Sequence, residues 1–265
     1  MLRQLTSLCI VLCLCAATTR ADVNAVPAEV RQLQGKVVKI YQDVDLTGAG
    51  APSSLHTQYL VTLLEQAGAK VVRGRPDEPK DEDKPGVVIF GDPAPPPKLT
   101  PDEARDPFVA RKTKIIADYA KRYQADRPAL ERDAAAAGAR VIQSKDVAAA
   151  LGIRATEPQM IEALDARARD WLKVQIPEVK FEAIGLADVV NFLRDVSQAN
   201  IFVNWRALEA AGVDRAAPIN LNLGPTPLGE LLDKVLAQAG GNMARLDYKV
   251  REGVIEISTA DRRKN

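Results

Sequence analysis

The feature that most narrows the possible folds is a pattern written twice in the last third of the chain. Phe181 is followed five residues later by Leu186-x-x-Val189-Val190-x-x-Leu193, and Leu223 is followed five residues later by Leu228-x-x-Leu231-Leu232-x-x-Val235. Apolar residues at i, i+3, i+4 and i+7 share one face of a helix. Each copy therefore predicts a strand end feeding an amphipathic helix, and Val196 extends the first helical stripe. Val179, Phe181 and Ala183 alternate with Lys180 and Glu182, as a strand burying one face does. Thr226-Pro227 predicts the start of the second helix, a capping hydroxyl followed by a proline whose missing N–H costs nothing there. Gly240-Gly241 predicts its end.

Ile201-Phe202-Val203 predicts a short strand, and Ile219, Leu221 and Leu223 alternate with Asn220 and Asn222 in another. Leu246, Tyr248 and Val250 alternate, Arg251-Glu252-Gly253 supplies a turn, and Val254 to Ile257 return as a hairpin. The expected fold class is an α+β C-terminal module in the order β-α-β-β-α-β-β, preceded by a small α/β domain. At about 80 residues the module is large enough for a small core.

Several of these segments resemble the secretin and TonB short N-terminal domain, over residues 179–259: Phe181-Glu182-Ala183-Ile184-Gly185-Leu186-Ala187-Asp188-Val189-Val190, Asn200-Ile201-Phe202-Val203-Asn204, Ala207-Leu208-Glu209-Ala210-Ala211-Gly212-Val213, Pro225-x-Pro227-Leu228 and Gly253-Val254-Ile255-Glu256-Ile257-Ser258-Thr259. The resemblance implies a periplasmic module of secretin channels, outer-membrane transducers and other bacterial envelope proteins. Such a module works by contacting other proteins and brings no catalytic residue or cofactor. Here it stands last in the sequence, with no β-barrel, secretin core or plug after it, so the partner implied is an envelope protein of unknown identity.

Residues 1–21 read as a secretory signal: Arg3 near the start, an apolar run from Leu8 to Ala17, and Thr19-Arg20-Ala21 as a cleavage site before Asp22. Cleavage after Ala21 predicts a periplasmic or secreted protein. The apolar run is short for a membrane span, and no transmembrane segment is expected in the mature chain. Cys9, Cys13 and Cys15 are the only cysteines and leave with the signal, which excludes disulfides and thiolate metal sites afterwards. The 36 basic and 35 acidic residues become 34 and 35 without Arg3 and Arg20. So even a balance gives no electrostatic reason to bind nucleic acid.

Residues 22–35 are expected to form an exposed lead-in, 36–152 an α/β domain, 153–173 a connecting helix, 174–260 the C-terminal module and 261–265 a tail. Within the α/β domain, Lys36 to Tyr41 reads as a strand, Asp43 to Pro52 as a Gly-rich loop and Ser53 or Ser54 to Ala67 as a helix. Lys70 to Arg73 reads as a second, parallel strand joined by a right-handed crossover. Arg75 to Gly86 is a charged loop, Val87 to Phe90 a buried strand, and Thr100-Pro101-Asp102-Glu103 a capping box. The helix it opens is expected to carry Ile115, Ile116, Tyr119, Ala120 and Tyr123 inward, with a break at Pro128.

Two sets of functional residues compete. The first is a partner-binding surface of Asn200, Asn204, Trp205 and Arg206 at a strand end, with Asn220 and Asn222 on a strand able to accept a partner strand. Trp205 can equally cover the module's own core, and the asparagines can line a solvated face. The second is a ligand loop of Asp43, Asp45, Ser54 and the sole histidine, His56, which in a hydrolase would serve as orienter, nucleophile and base. A polar helix start with a capping serine is the plainer reading of Ser53 and Ser54. The order of strand, Gly-rich loop and helix also resembles the opening of zinc-dependent cell-wall amidases. Those need two histidines and a glutamate, so the resemblance implies at most a degenerate hydrolase without its metal. Gly48-Ala49-Gly50 lacks the rest of a P-loop or dinucleotide fingerprint, and no nucleotide cofactor is expected.

Overall fold

The computed structural model describes residues 26–47, 53–74, 84–93 and 96–260. The expected signal at residues 1–21, Gly48-Ala49-Gly50, residues 75–83 of the expected charged loop and the tail 261–265 lie outside the described residues. Strands β1 (Val37–Tyr41), β2 (Lys70–Arg73), β3 (Val87–Phe90) and β4 (Arg140–Gln143) form a parallel sheet in the order β2-β1-β3-β4. Helix α1 (Ala28–Arg31) precedes the sheet, and α2 (Ser54–Gln66) joins β1 to β2. Helices α3 (Pro101–Arg105) and α4 (Pro107–Ala136) join β3 to β4.

The chain leaves β1 in one direction and β3 in the other. Right-handed crossovers running in opposite directions put their helices on opposite faces, and the packing agrees. Val38, Ile40, Val87 and Ile89 bury against Leu60, Leu63 and Leu64 of α2. Tyr41, Val88 and Phe90 bury against Tyr123, Leu130 and Ala134 of α4. The lead-in is less exposed than its composition suggests: Val30 and Leu33, three apart on one helical face, are buried in the α2-side core.

The Thr100 capping box forms, with Thr100 N–H donating to Glu103 Oε2 at 2.9 Å and Glu103 N–H to Thr100 Oγ1 at 3.3 Å. The helix it opens, however, stops at Arg105. Pro107 disfavours helical backbone in the residue before it. Asp106 is accordingly extended, and its carboxylate caps a new helix by accepting Phe108 N–H at 2.8 Å. Helix α4 then runs through Pro128 instead of breaking there. On the expected inward stripe Tyr123 is buried, whereas Ile115 is 59% exposed.

After β4 come a 3-10 turn at Ser144–Asp146, α5 (Val147–Ala150) and α6 (Glu157–Trp171), before which Thr156 N–H donates to Gln159 Oε1 at 2.8 Å. Helix α6 serves two cores. Met160, Ala163 and Leu164 bury in the α2-side cluster, Ala168 in the C-terminal cluster, and Trp171 and Leu172 pack against the latter.

The C-terminal region contains β5 (Gln175–Ile176), β6 (Val179–Gly185), α7 (Leu186–Ser197), β7 (Ile201–Val203), α8 (Trp205–Ala210), β8 (Pro218–Leu223), β9 (Thr226–Pro227), α9 (Leu228–Gly240), β10 (Leu246–Arg251) and β11 (Val254–Thr259). β10-β11-β7 is a mixed sheet, and β6 with β8 and β5 with β9 are antiparallel pairs. Parallel and antiparallel sheets thus coexist in a mixed α/β chain. Leu186, Val189, Val190 and Leu193 of α7 and Leu228, Leu231, Leu232 and Val235 of α9 all bury in one core.

Three details depart from expectation. Ala183 is exposed, because a register shift between Phe181 and Ile184 sends it into positive φ, at 53°, where Asn220 Oδ1 accepts its N–H at 2.8 Å. Val196 is exposed, and Ser197 takes the buried helical position. Thr226 and Pro227 pair with β5, and Thr226 Oγ1 donates to Gly224 O, so no hydroxyl caps α9. Its first N–H groups are met by the main chain that leaves α6: Leu228 N–H donates to Val174 O and Gly229 N–H to Leu172 O, each at 2.9 Å. Gly229 permits that approach, since a Cβ there would lie 3.3 Å from Leu172 O. No helix among the described residues is long and apolar enough to cross a membrane.

Candidate functional site

The strand order reverses between β1 and β3, and doubly wound sheets commonly bind ligands at the carboxyl ends of the strands flanking such a point. The described members of the ligand loop proposed from sequence, Asp43, Asp45, Ser54 and His56, follow β1 or open α2 at that end. Its groups hold the chain together. Asp43 Oδ1 accepts the Thr57 hydroxyl at 3.0 Å. Asp45 Oδ1 accepts both Thr47 N–H and Thr47 Oγ1 at 2.8 Å, and Asp45 N–H donates to Ser144 Oγ at 3.1 Å. Ser53 caps α2 by accepting His56 N–H at 3.3 Å.

His56 is 4% exposed. Its Nδ1 accepts Leu46 N–H at 3.4 Å and lies 3.7 Å from Asp45 Oδ1, while the buried Nε2 has no hydrogen-bond partner among the described residues. Ser54 is exposed at the helix start and lines a different cavity, shared with Asn200 and Phe202. Asp45 and His56 are therefore brought together, but no serine hydroxyl is seated on the imidazole. Across the reversal point the two strand ends are joined directly, with Gly91 N–H donating to Tyr41 O at 2.6 Å and Asp92 N–H to Asp43 O at 2.9 Å. A Cβ at Gly91 would lie 2.2 Å from Asp43 O, so glycine is required for that closure.

Beside it lies a polar network that the sequence did not announce. Arg127 on α4 donates from Nη1 to Asp92 Oδ1 at 2.7 Å and Gly91 O at 3.3 Å, from Nε to Glu131 Oε1 at 2.8 Å, and from Nη2 to Gln143 Oε1. Tyr123 donates to Gly91 O at 3.0 Å. Burial pushes its phenol well above the ordinary tyrosine range, with Asp92, Glu131 and Tyr119 adding to the rise and Arg127 opposing it. These groups fasten α4 to the sheet.

The proposed partner surface divides. Asn200 and Asn204 stand at opposite ends of β7, separated by the extended Ile201–Val203. Asn204 caps α8 by accepting Ala207 N–H at 3.1 Å. Trp205 packs on the C-terminal core, and the Arg215 guanidinium lies 5.2 Å from its ring centre while bonding Glu209 at 2.8 Å. Arg206 is exposed beside it. On β8, Asn220 N–H donates to Gln238 Oε1 at 2.9 Å and its side chain holds the Ala183 bulge. Asn222 is exposed opposite Lys180. Asn200 and Arg206 therefore lie beyond opposite ends of a three-residue strand.

Asn200 instead faces the α/β domain. It belongs to the lining of two adjoining cavities, as does Gln58 of α2. One, of about 420 Å³, lies between the start of α2 and β7–β11, and Phe202 lines it with its side chain 53% exposed. The other, of about 370 Å³, is bounded by α2, β2, α6 and the β10–β11 turn. It collects Arg73, Arg167, Trp171 and Asn200. Arg167 bonds Glu65 Oε2 at 2.7 Å through Nη2 and stacks 5.1 Å from the Trp171 ring centre, and its buried Nη1 has no acceptor among the described residues. Phe202 had a sequence signal: Ile201 and Val203 point to one side of a three-residue strand, so Phe202 must point to the other. Arg73 and Arg167 had none, since nothing in their spacing reveals that α2, β2 and α6 meet the last hairpin. Compared with protein-family models, with curated proteins and with solved structures, the chain matches none.

Proposed function

We propose that this chain is an exported, non-enzymatic protein of the bacterial cell envelope, released into the periplasm by cleavage after Ala21, whose C-terminal module docks another envelope protein. We read β6, α7, β7, β8, α9, β10 and β11 as a module of the secretin and TonB short N-terminal kind, with β5, α8 and β9 as additions. The observation that carries the docking reading is Phe202. A large apolar ring held half-exposed at the centre of a strand, facing a cavity that Gln58 and Asn200 also line, suits the buried anchor of a protein contact.

The test is affinity capture from a detergent-solubilised envelope extract with the intact chain as bait. Separate halves are unsuitable, since α6 enters both cores and the main chain at Leu172 and Val174 caps α9. The expected result is a protein retained by the wild type and lost with Phe202→Asp at unchanged thermal stability. Retention that ignores Phe202 rejects this surface, and no retained protein rejects docking.

A second reading, a ligand site in the 43–56 loop, is favoured by one observation, the buried and unpartnered Nε2 of His56. A His56→Ala variant that remains folded and keeps its captured partner leaves docking in place. If instead it loses the protein's function in cells while capture is unchanged, the loop reading takes over.

A further inference from the structure

Among the described residues, β2 is a free edge of the parallel sheet, and its Val71 and Arg73 line the second of the two cavities. β2 is the last strand in the order β2-β1-β3-β4. Lys70 N–H donates to Lys36 O and Gly74 N–H to Ile40 O, each at 2.9 Å. In a parallel ladder, bonding to one neighbour alternates along the strand. Lys70, Val72 and Gly74 are therefore turned toward β1, and the N–H and C=O groups of Val71 and Arg73 lie on the open side. Val71 and Arg73 are also the two β2 residues that line the 370 Å³ cavity. An unpaired edge is a template for another strand.

Two other edges are blunted. On β7, Asn200 O and Asn204 N–H bond to β11, which leaves Ile201 O on the open side, and Arg194 Nε fills it at 2.8 Å. On β8, the Asn220 N–H is taken by Gln238. At β2 no side chain among the described residues is seen to cap Val71 or Arg73.

The chemistry beside this edge is cationic. Arg73 and Arg167 line the cavity against one carboxylate, Glu65, which Arg167 engages through Nη2 alone. Its Nη1 is buried and carries hydrogens with no acceptor among the described residues, a costly state for a guanidinium. A carboxylate entering the cavity would meet the exposed Arg73, with the charge of the Arg167 guanidinium and the amides of Gln58 and Asn200 alongside.

We infer that β2 accepts an extended peptide segment of a partner protein as a fifth strand, with an aspartate or glutamate of that segment seated on Arg73 beside the Arg167 guanidinium. The main-chain groups of Val71 and Arg73 supply affinity without sequence preference, and the arginine pair selects the acidic residue. This rests on the docking reading and specifies its occupant.

The test pans a randomised seven-residue peptide library displayed on phage against the chain from Asp22 on. Enriched peptides are then titrated as synthetic peptides with blocked ends. The expected sequences hold an acidic residue among β-branched ones, and replacing that acid by its amide weakens binding about tenfold or more. Val71→Pro removes an N–H on the open side of an edge strand, where proline is tolerated, and weakens binding by a similar factor. Arg73→Glu does the same and is rescued by a lysine in place of the peptide's acid. Circular dichroism melting verifies that both variants fold. Enriched peptides that ignore Val71→Pro and Arg73→Glu but are lost with Phe202→Asp overturn this inference and leave docking standing. No enrichment at all overturns the inference, and the capture experiment then decides the docking reading by itself.

Discussion

The two faces of the parallel sheet are covered by helices of very different character. On one, α2 is amphipathic and short, and Leu60, Leu63 and Leu64 reach a core that also takes in α1, α5 and the first half of α6. On the other, 30-residue α4 touches the sheet through a small cluster around Tyr41, Phe90 and Tyr123, and the Arg127 network does the rest. Apolar area stabilises the first attachment at about 25 cal/mol per Å² buried. The second depends on geometry: a stacked Tyr41–Phe90 pair with centroids 5.1 Å apart, and a guanidinium shared among Gly91, Asp92, Glu131 and Gln143. A face buried by many leucines tolerates small errors of alignment, whereas a fork of hydrogen bonds fixes one position.

The strongest way to break the comparison is to remove volume from the α2 side. Leu60→Ala is expected to cost about 2–5 kcal/mol, the range for a fully buried leucine. Because α6 enters both cores, unfolding in urea should remain a single transition whether followed by far-ultraviolet circular dichroism or by the fluorescence of Trp171 and Trp205. Two separated transitions would mean that α6 does not couple the cores.

On the α4 side, Arg127→Ala is expected to cost less, about 1–3 kcal/mol, as for a charged hydrogen-bonding group whose partners are only half-buried. Its distinguishing sign is local. Amide hydrogen exchange should rise along α4 and leave α2 unchanged. Equal protection loss in both helices would show that the network acts on the whole sheet rather than on one attachment.

The same contrast explains what could be read beforehand. The α2 face is written in periodic leucines and the C-terminal core in two matching leucine patterns, so the buried residues of α2, α7 and α9 follow from spacing. Arg127 carries no such mark. It is one of many charged residues on a long helix, and its value depends on Gln143 and Asp92 arriving from two different strand ends. The break at Asp106 is legible in Pro107, which turns the residue before it out of helical backbone, although the capping box upstream predicts one continuous helix. Pro128 misled because proline lowers helix stability by an average that tertiary anchoring overrides. The candidate histidine was visible, but not that its Nδ1 is occupied by Leu46 N–H, since that bond needs the β1 loop folded back over α2. The groove was invisible, since the segments that line it, α2 with β2, α6, Gln198 with Asn200, and Gly253, lie far apart in the chain.

Tyr123 sharpens the comparison through pH. Its folded value is raised above the ordinary phenol, so the neutral form is favoured by folding. Its contribution is complete below the unfolded value of about 10 and is lost as pH climbs from there toward the raised folded value. Tyr123→Phe is expected to cost about 1 kcal/mol at neutral pH, for the bond to Gly91 O. It should also flatten the fall in stability above about pH 10. An unchanged alkaline slope in urea melts would place the titrating group elsewhere.

The smallest effect is expected at the start of α4. Phe108 is 75% exposed and Ile115 59%, although both lie on a helix whose later turns are held to the sheet. A stripe predicted to be buried over its whole length is therefore used only from about Tyr119 onward, where the sheet begins. Phe108→Ser should change stability by no more than about 0.5 kcal/mol, as surface substitutions do. A loss several times larger, measured in the same urea melts, would mean that the first turns of α4 are buried in solution and that the α4 face is thicker than the packing around Tyr123 implies.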